Sequence, residues 1–210
     1  MTLVLGTYAL AWGRTASEHA AVVDAAAVMT HRSQALSSLA DTLMKLSENL
    51  YAETLLKAIG GTGGATATTT AGRAAAQKIF DAWGIQPSSY VLADGSGLSR
   101  YDFLTAEMIV TLLERMHKDA RHRDAFVATM PIAGKDGTIS TRMRGTRAEA
   151  NAVAKTGSIS NVRALSGYVR TRDGETLAFS ILANNFTVPA ATVTWITDLA
   201  VETLANYTRR

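Results

Sequence analysis

The sequence predicts an α+β fold in which helices come first, antiparallel strands follow and one helix closes the chain. Three observations carry that prediction. Apolar residues recur at helical spacing in several separate runs between Ser33 and Met130. Two β-rich runs flank Asp173-Gly174. Helical spacing then returns after residue 190. The order is helices, hairpin, helix, which is not the alternation of a parallel β-α-β sheet.

The elements follow in order. Met1 to Gly13 is uncharged and closed by Arg14. It is too short to span a membrane, and no basic residue precedes it as in a signal peptide, so a buried strand or helix is expected. Residues 20–30 are alanine-rich and fit either helix or strand. Ser33 to Lys45 carries Leu36, Leu39, Leu43 and Met44 at helical spacing. A second helix is expected over Leu50, Leu55, Leu56 and Ile59, stopped by Gly60-Gly61. Gly60 to Gly72 is rich in Gly, Thr and Ala and reads as a loop. Ala74 to Trp83 reads as a short helix ended at Gly84. Tyr90 to Ala93 is an extended segment running into the turn Asp94-Gly-Ser-Gly97. Thr105 is the expected N-cap of a helix with Met108, Ile109, Leu112, Leu113 and Met116 on one face. Ala125 to Met130 forms another helical turn before Pro131. Asn151 to Lys155 is strand-like, with Lys155 at its end. Val162–Thr171 and Glu175–Asn184 form a hairpin. Val193, Ile196, Leu199, Ala200 and Leu204 mark the last helix.

Composition narrows the function classes. The 210 residues hold 47% hydrophobic and 19% charged residues, enough to bury a core in one sizeable domain or two small ones. The absence of cysteine removes disulfide scaffolds, Cys-based zinc sites and thiol catalysis. The four histidines have no zinc-ligand spacing, so no metal and no cofactor are expected. A net charge of +3 with 7% aromatics gives no nucleic-acid footprint. Arg142, Arg144 and Arg147 read as a solvated basic face.

Two short motifs carry chemistry. In Lys155-Thr-Gly-Ser158, the ammonium and the Thr156 hydroxyl suit a carboxylate. Gly157 lets a ligand approach the backbone, and an extended peptide could add to the strand edge. Alone, the tetrapeptide reads as a solvated lysine in a turn. In Ser47-Glu-Asn49, side chains two apart on a helix diverge by about 200°, so Ser47 and Asn49 face one site only from a turn between helices. Alone, that tripeptide reads as an ordinary helix start.

Together the motifs resemble the active-site set of penicillin-binding proteins and serine β-lactamases, Ser-x-Asn followed about a hundred residues later by Lys-Thr-Gly. The blocks Leu46–Leu56, Asp94–Arg100, Pro131–Thr138, Ala154–Ser158, Ala164–Tyr168 and Phe179–Phe186 occur in that order. They resemble the class C low-molecular-mass penicillin-binding proteins, the D-alanyl-D-alanine carboxypeptidase/endopeptidase family. The resemblance runs from about Thr30 to the C-terminus and is weaker over 1–29.

The resemblance implies a DD-peptidase/β-lactamase-like transpeptidase domain over 30–210, mainly helical over 30–150, with strands and a C-terminal helix over 151–210. It implies a periplasmic or extracytoplasmic serine hydrolase acting on peptidoglycan stem peptides and binding β-lactams. Ser47 would relay a proton to the leaving amine, and Asn49 would hold the substrate amide. Lys155 and Thr156 would bind the terminal carboxylate, and Ser158 would give one oxyanion N–H beside Gly157.

One departure matters. The family's nucleophile is the serine of a Ser-x-x-Lys motif, and no serine here has a lysine three residues on. Thr42-Leu-Met-Lys45 is the nearest imitation. The expectation is a C-terminal part of such an enzyme, inactive by itself, with an apolar face exposed and prone to self-association. A non-catalytic stem-peptide binding module is the alternative, and a β-lactamase or esterase of the same superfamily a third reading.

Overall fold

The computed structural model describes residues 32–62 and 66–209. The expectations for Met1–Gly13 and for residues 20–30 lie outside them. Among the described residues six α-helices and five strands follow one another: α1 (Leu36–Leu46), α2 (Asn49–Gly60), α3 (Thr69–Ala82), β1 (Tyr90–Val91), β2 (Phe103–Leu104), α4 (Ala106–Lys118), α5 (Arg123–Thr129), β3 (Val153–Ile159), β4 (Val162–Arg170), β5 (Thr176–Asn184) and α6 (Ala190–Asn206). The α+β class is the observed one.

The sheet is an antiparallel meander in the order β3-β4-β5. Lys155 lies opposite Ser166, Thr156 opposite Leu165 and Gly157 opposite Ala164. Alternation along the strands sorts side chains to two faces. Ala154, Leu165, Val169 and Phe179 face a core shared with Val201 and Ala205 of α6. Val153, Tyr168 and Ala178 face the helical lobe, where they meet Leu113 of α4, Met130 and Met44 of α1. The sheet is thus sandwiched, and α1 is anchored against its lobe-side core. Thr105 caps α4 as expected, its hydroxyl accepting from Met108 N–H at 3.1 Å.

Three expectations are corrected. The Gly/Thr/Ala run is not all loop. Thr68 accepts from Ala71 N–H at 3.1 Å and starts α3 at Thr69, ahead of Ala74. Gly60 and Gly72 form the α2–α3 crossing, where a Cβ on Gly72 would stand 2.0 Å from the Leu56 carbonyl oxygen. Glycine allows that backbone contact, a packing signal that composition disguises as loop. Secondly, Lys155 does not end its strand. It is the third residue of β3, which continues through Gly157 and Ser158 to Ile159. Thirdly, Arg142 is half-buried and paired, while Arg144 and Arg147 are exposed as expected of a solvated face. Arg142 donates through Nε and Nη2 to one Asp198 oxygen at 2.9 and 2.6 Å, and to the Thr197 hydroxyl at 3.1 Å. Arg147 donates to the Ala205 and Arg172 carbonyls, and Arg144 to the Ser140 carbonyl. Two of the three tie the segment before β3 to α6 or to the loop after β4.

An exposed apolar stripe lies on the outer side of α6, where Trp195, Ile196 and Leu199 are 62%, 50% and 45% exposed.

Candidate active site

Ser47 ends α1 in the left-handed region, at φ 59 and ψ 50. Its N–H and that of Glu48 both donate to the Leu43 carbonyl, the closure usually made with glycine at this place. Serine there costs about 1 kcal/mol relative to glycine's freedom. In return the chain turns sharply between α1 and α2. The turn that the i, i+2 argument required is present.

Across the site, Lys155 leaves β3 toward the lobe and donates from Nζ to Ser47 Oγ at 2.7 Å. It also donates to its neighbour's carbonyl, Thr156 O, at 2.7 Å. Burial lowers the Lys155 pKa below its ordinary value, because the ammonium is partly stripped of water. A proton held between an amine of lowered basicity and a hydroxyl at hydrogen-bond distance can be passed on.

The edge of β3 is half covered. The Ala154 N–H donates to the Pro131 carbonyl at 2.9 Å, and Val153 bridges Ile132. Backbone groups alternate along an antiparallel strand, so the N–H groups of Thr156 and Ser158 face the same outer side. Among the described residues that side has no strand partner beyond Ala154. The Thr156 hydroxyl lies 2.8 Å from the Thr138 hydroxyl. Thr138 closes the Pro131–Thr138 block, and nothing in its local sequence marks it for a role at the site. Its signal was position alone.

Gly157 and Ser158 line a cavity of about 570 Å³ between the sheet and the Asp94–Arg100 loop, with Arg100, Phe103, Ile109 and Leu182 on its walls. A larger cavity of about 820 Å³ lies away from Ser47 and Lys155, lined by His117, Tyr168 and Arg170. Of the two, only the smaller one reaches the Lys155–Ser158 run, through Gly157 and Ser158. The loop itself is rigidly tied. Glu53 of α2 accepts from Gly95 and Ser96 N–H, both at 2.9 Å. Asp94 accepts from Gly97 and Ser99 N–H. Asp102 accepts the Ala93 N–H through Oδ1 at 2.6 Å, and burial, together with the neighbouring Asp94 charge, holds its carboxyl above the usual carboxylate range.

Of the residues named from sequence, Ser47, Lys155, Thr156, Gly157 and Ser158 converge on this edge. Asn49 does not join them. It opens α2, is exposed, and makes no side-chain hydrogen bond among the described residues. The described residues hold no group of three His, Asp or Glu side chains able to bind a metal. No helix among them is long and apolar enough to cross a membrane.

A D-alanyl-D-alanine carboxypeptidase of Actinomadura sp. is 39% identical over 189 residues, covering 88% of this chain and 34% of that protein. A D-alanyl-D-alanine carboxypeptidase DacB of Haemophilus influenzae is 35% identical over 161 residues, covering 74% and 33%. The chain thus spans about a third of the length of the curated relatives it matches. Penicillin binding protein 4 of Haemophilus influenzae, solved with a β-lactam, superposes with a TM-score of 0.78 at 30% identity over 85% of this chain and 43% of that one. An extended-spectrum β-lactamase shares the fold at a TM-score of 0.57. The family model for D-Ala-D-Ala carboxypeptidases of the S13 type matches residues 12–206, and the chain belongs to the D-Ala-D-Ala carboxypeptidase 3 (S13) family.

Proposed function

We propose that this chain supplies the proton-relay and carboxylate-binding side of a serine-type D-Ala-D-Ala carboxypeptidase/endopeptidase site. Its substrate is the stem peptide of peptidoglycan, so its place of work is periplasmic or otherwise extracytoplasmic. The observation that carries the reading is the 2.7 Å contact from Lys155 to Ser47, beside the stretch of the β3 edge that has no strand partner among the described residues. An extended peptide ending in a carboxylate fits that edge. Its backbone would pair with the N–H groups of Thr156 and Ser158, and its terminal charge would meet the Lys155 ammonium and Thr156 hydroxyl. Ser47 then passes a proton to the departing amine, with Lys155 setting its basicity. Asn49 would swing from its exposed position to hold the substrate amide.

The serine that becomes acylated is not supplied by a Ser-x-x-Lys within these 210 residues. In this reading it comes from a separate segment, and the chain alone is inactive. Incubation with a labelled penicillin followed by intact mass tests the point. No adduct on the folded chain is expected, whereas a stable adduct on one of its own serines overturns it. The second reading is a non-catalytic stem-peptide binder, which would use the same Lys155 and Thr156 groups on β3. Turnover of a D-Ala-D-Ala peptide after adding the Ser-x-x-Lys-bearing portion of a relative supports the enzyme. Binding with no turnover supports the binder. The Trp195, Ile196 and Leu199 stripe is the surface through which the chain would self-associate.

A further inference from the structure

The imitation motif Thr42-Leu-Met-Lys45 ends in a lysine that the proposed chemistry does not use. Its surroundings give it another task. Lys45 Nζ donates to Asp136 Oδ2 at 2.5 Å and to the Met130 carbonyl at 3.1 Å. Asp136 uses its other oxygen, Oδ1, to accept the Ile132 N–H at 2.7 Å. The pair is largely sheltered, with side chains 18% and 38% exposed. Beside it Gly137, at φ 58, lies so close that a Cβ would stand 2.9 Å from the Lys45 carbonyl oxygen and from Pro131 Cβ. Charge pairing and backbone contact therefore lock the end of α1 to the 130–138 segment at one point.

Each partner lies two residues before a group of the site. Lys45 precedes Ser47, which meets Lys155 at 2.7 Å. Asp136 precedes Thr138, which meets Thr156 at 2.8 Å. The 130–138 segment also fixes the start of β3 through the Pro131 carbonyl and Ala154 N–H. One joint thus sets the register of α1 against β3, and with it both hydroxyl contacts on the strand. A shift of about 1 Å at such a joint is enough to separate a proton donor from its acceptor.

We infer that the Lys45–Asp136 pair, seated by Gly137, is a positioning clasp that holds Ser47 against Lys155 and Thr138 against Thr156. Neither Lys45 nor Asp136 touches substrate. They act through the residues two positions on, and the inference rests on the functional reading only in calling those residues a site.

The test needs no substrate, so its failure is distinct from failure of that reading. The Lys155 ammonium is followed by NMR of labelled lysine side chains across a pH titration. Asp136→Asn removes the charge but keeps an oxygen for Ile132 N–H. With the clasp released, Ser47 withdraws, water reaches Lys155, and its titration midpoint moves up by about half a unit or more toward the ordinary lysine value. Lys45→Met carries the same expectation, whereas Lys45→Arg, which keeps the charge, holds the midpoint nearer the parent's. A merely structural pair would lower the melting temperature of the first two variants and leave the Lys155 midpoint unmoved, which overturns the inference. Failure of both charge-removing variants to fold overturns it as well, since the pair would then serve the fold and not the site.

Discussion

Lys155 and Ser47 stand 108 positions apart in the chain, yet the Lys155 ammonium donates to the Ser47 hydroxyl at 2.7 Å. Two unrelated local devices produce that meeting. One is a left-handed serine ending α1. The other is a lysine placed mid-strand, so that the pleat aims it at the lobe. Neither alone is a site.

The lowered Lys155 pKa has a consequence for stability. An unfolded lysine titrates near 10.5, and burial lowers the folded value. Between the two, the unfolded chain binds more protons, so this residue's burial cost is full below the folded value and fades as pH rises toward 10.5. Lys155→Met abolishes that dependence. Urea titrations at stepped alkaline pH should show parent stability rising relative to the variant's across that window. Parallel stability curves would contradict the assignment.

Tyr168 gives a slope of opposite sign. Its hydroxyl is buried and donates to the Leu113 carbonyl at 2.6 Å, and burial raises its pKa from 10.0 to about 12. The unfolded tyrosine ionises first, so stability is kept below pH 10 and lost as pH rises through about 12. Tyr168→Phe should cost about 1 kcal/mol at neutral pH and lose less between those limits. Denaturant midpoints at neutral and alkaline pH decide it.

Arg142 and Asp198 are 16% and 20% exposed and hold α6 to the segment before β3. Removing one partner strands the other charge. Arg142→Ala should cost about 3 kcal/mol, and Arg144→Ala, on an exposed carbonyl contact, under about 1 kcal/mol. Equal melting temperatures for the two variants would refute the distinction.

At the α2–α3 crossing, Gly72→Ala forces a methyl against the Leu56 carbonyl. The helices must part, at a cost of about 1–3 kcal/mol. The exposed Gly84, with open space around its missing Cβ, offers no such contact. Gly72→Ala should lower the thermal midpoint by several degrees, and an unchanged midpoint would mean that the crossing is looser than described.

Much of this was legible in the sequence, for local reasons. Periodicity gave α1, α2, α4 and α6, because each buries one stripe. Asp173-Gly174 marked the hairpin of β4 and β5. Ser47 and Lys155 to Ser158 were legible as motifs, and the need for a turn at Ser47 followed from helix geometry. What escaped depends on distant partners. The β1–β2 pairing joins strands of two residues each, too short for a periodic signal. The start of α3 hides in a glycine-bearing run whose purpose is backbone contact with α2. Lys45 looked like half of a catalytic motif because its true partner, Asp136, is 91 positions away. Arg142 looked solvated for the same reason, with Asp198 56 positions on. Side-chain pairing across such distances is set by packing, and no local pattern reports it.

The most direct test of the account is calorimetric titration of the folded chain with a peptide ending in D-Ala-D-Ala, against the same chain carrying Lys155→Ala. The account predicts binding by the parent and its loss in the variant, with the far-ultraviolet spectrum unchanged. Equal affinity in the two proteins would contradict it, because the carboxylate would then be held somewhere other than the edge of β3.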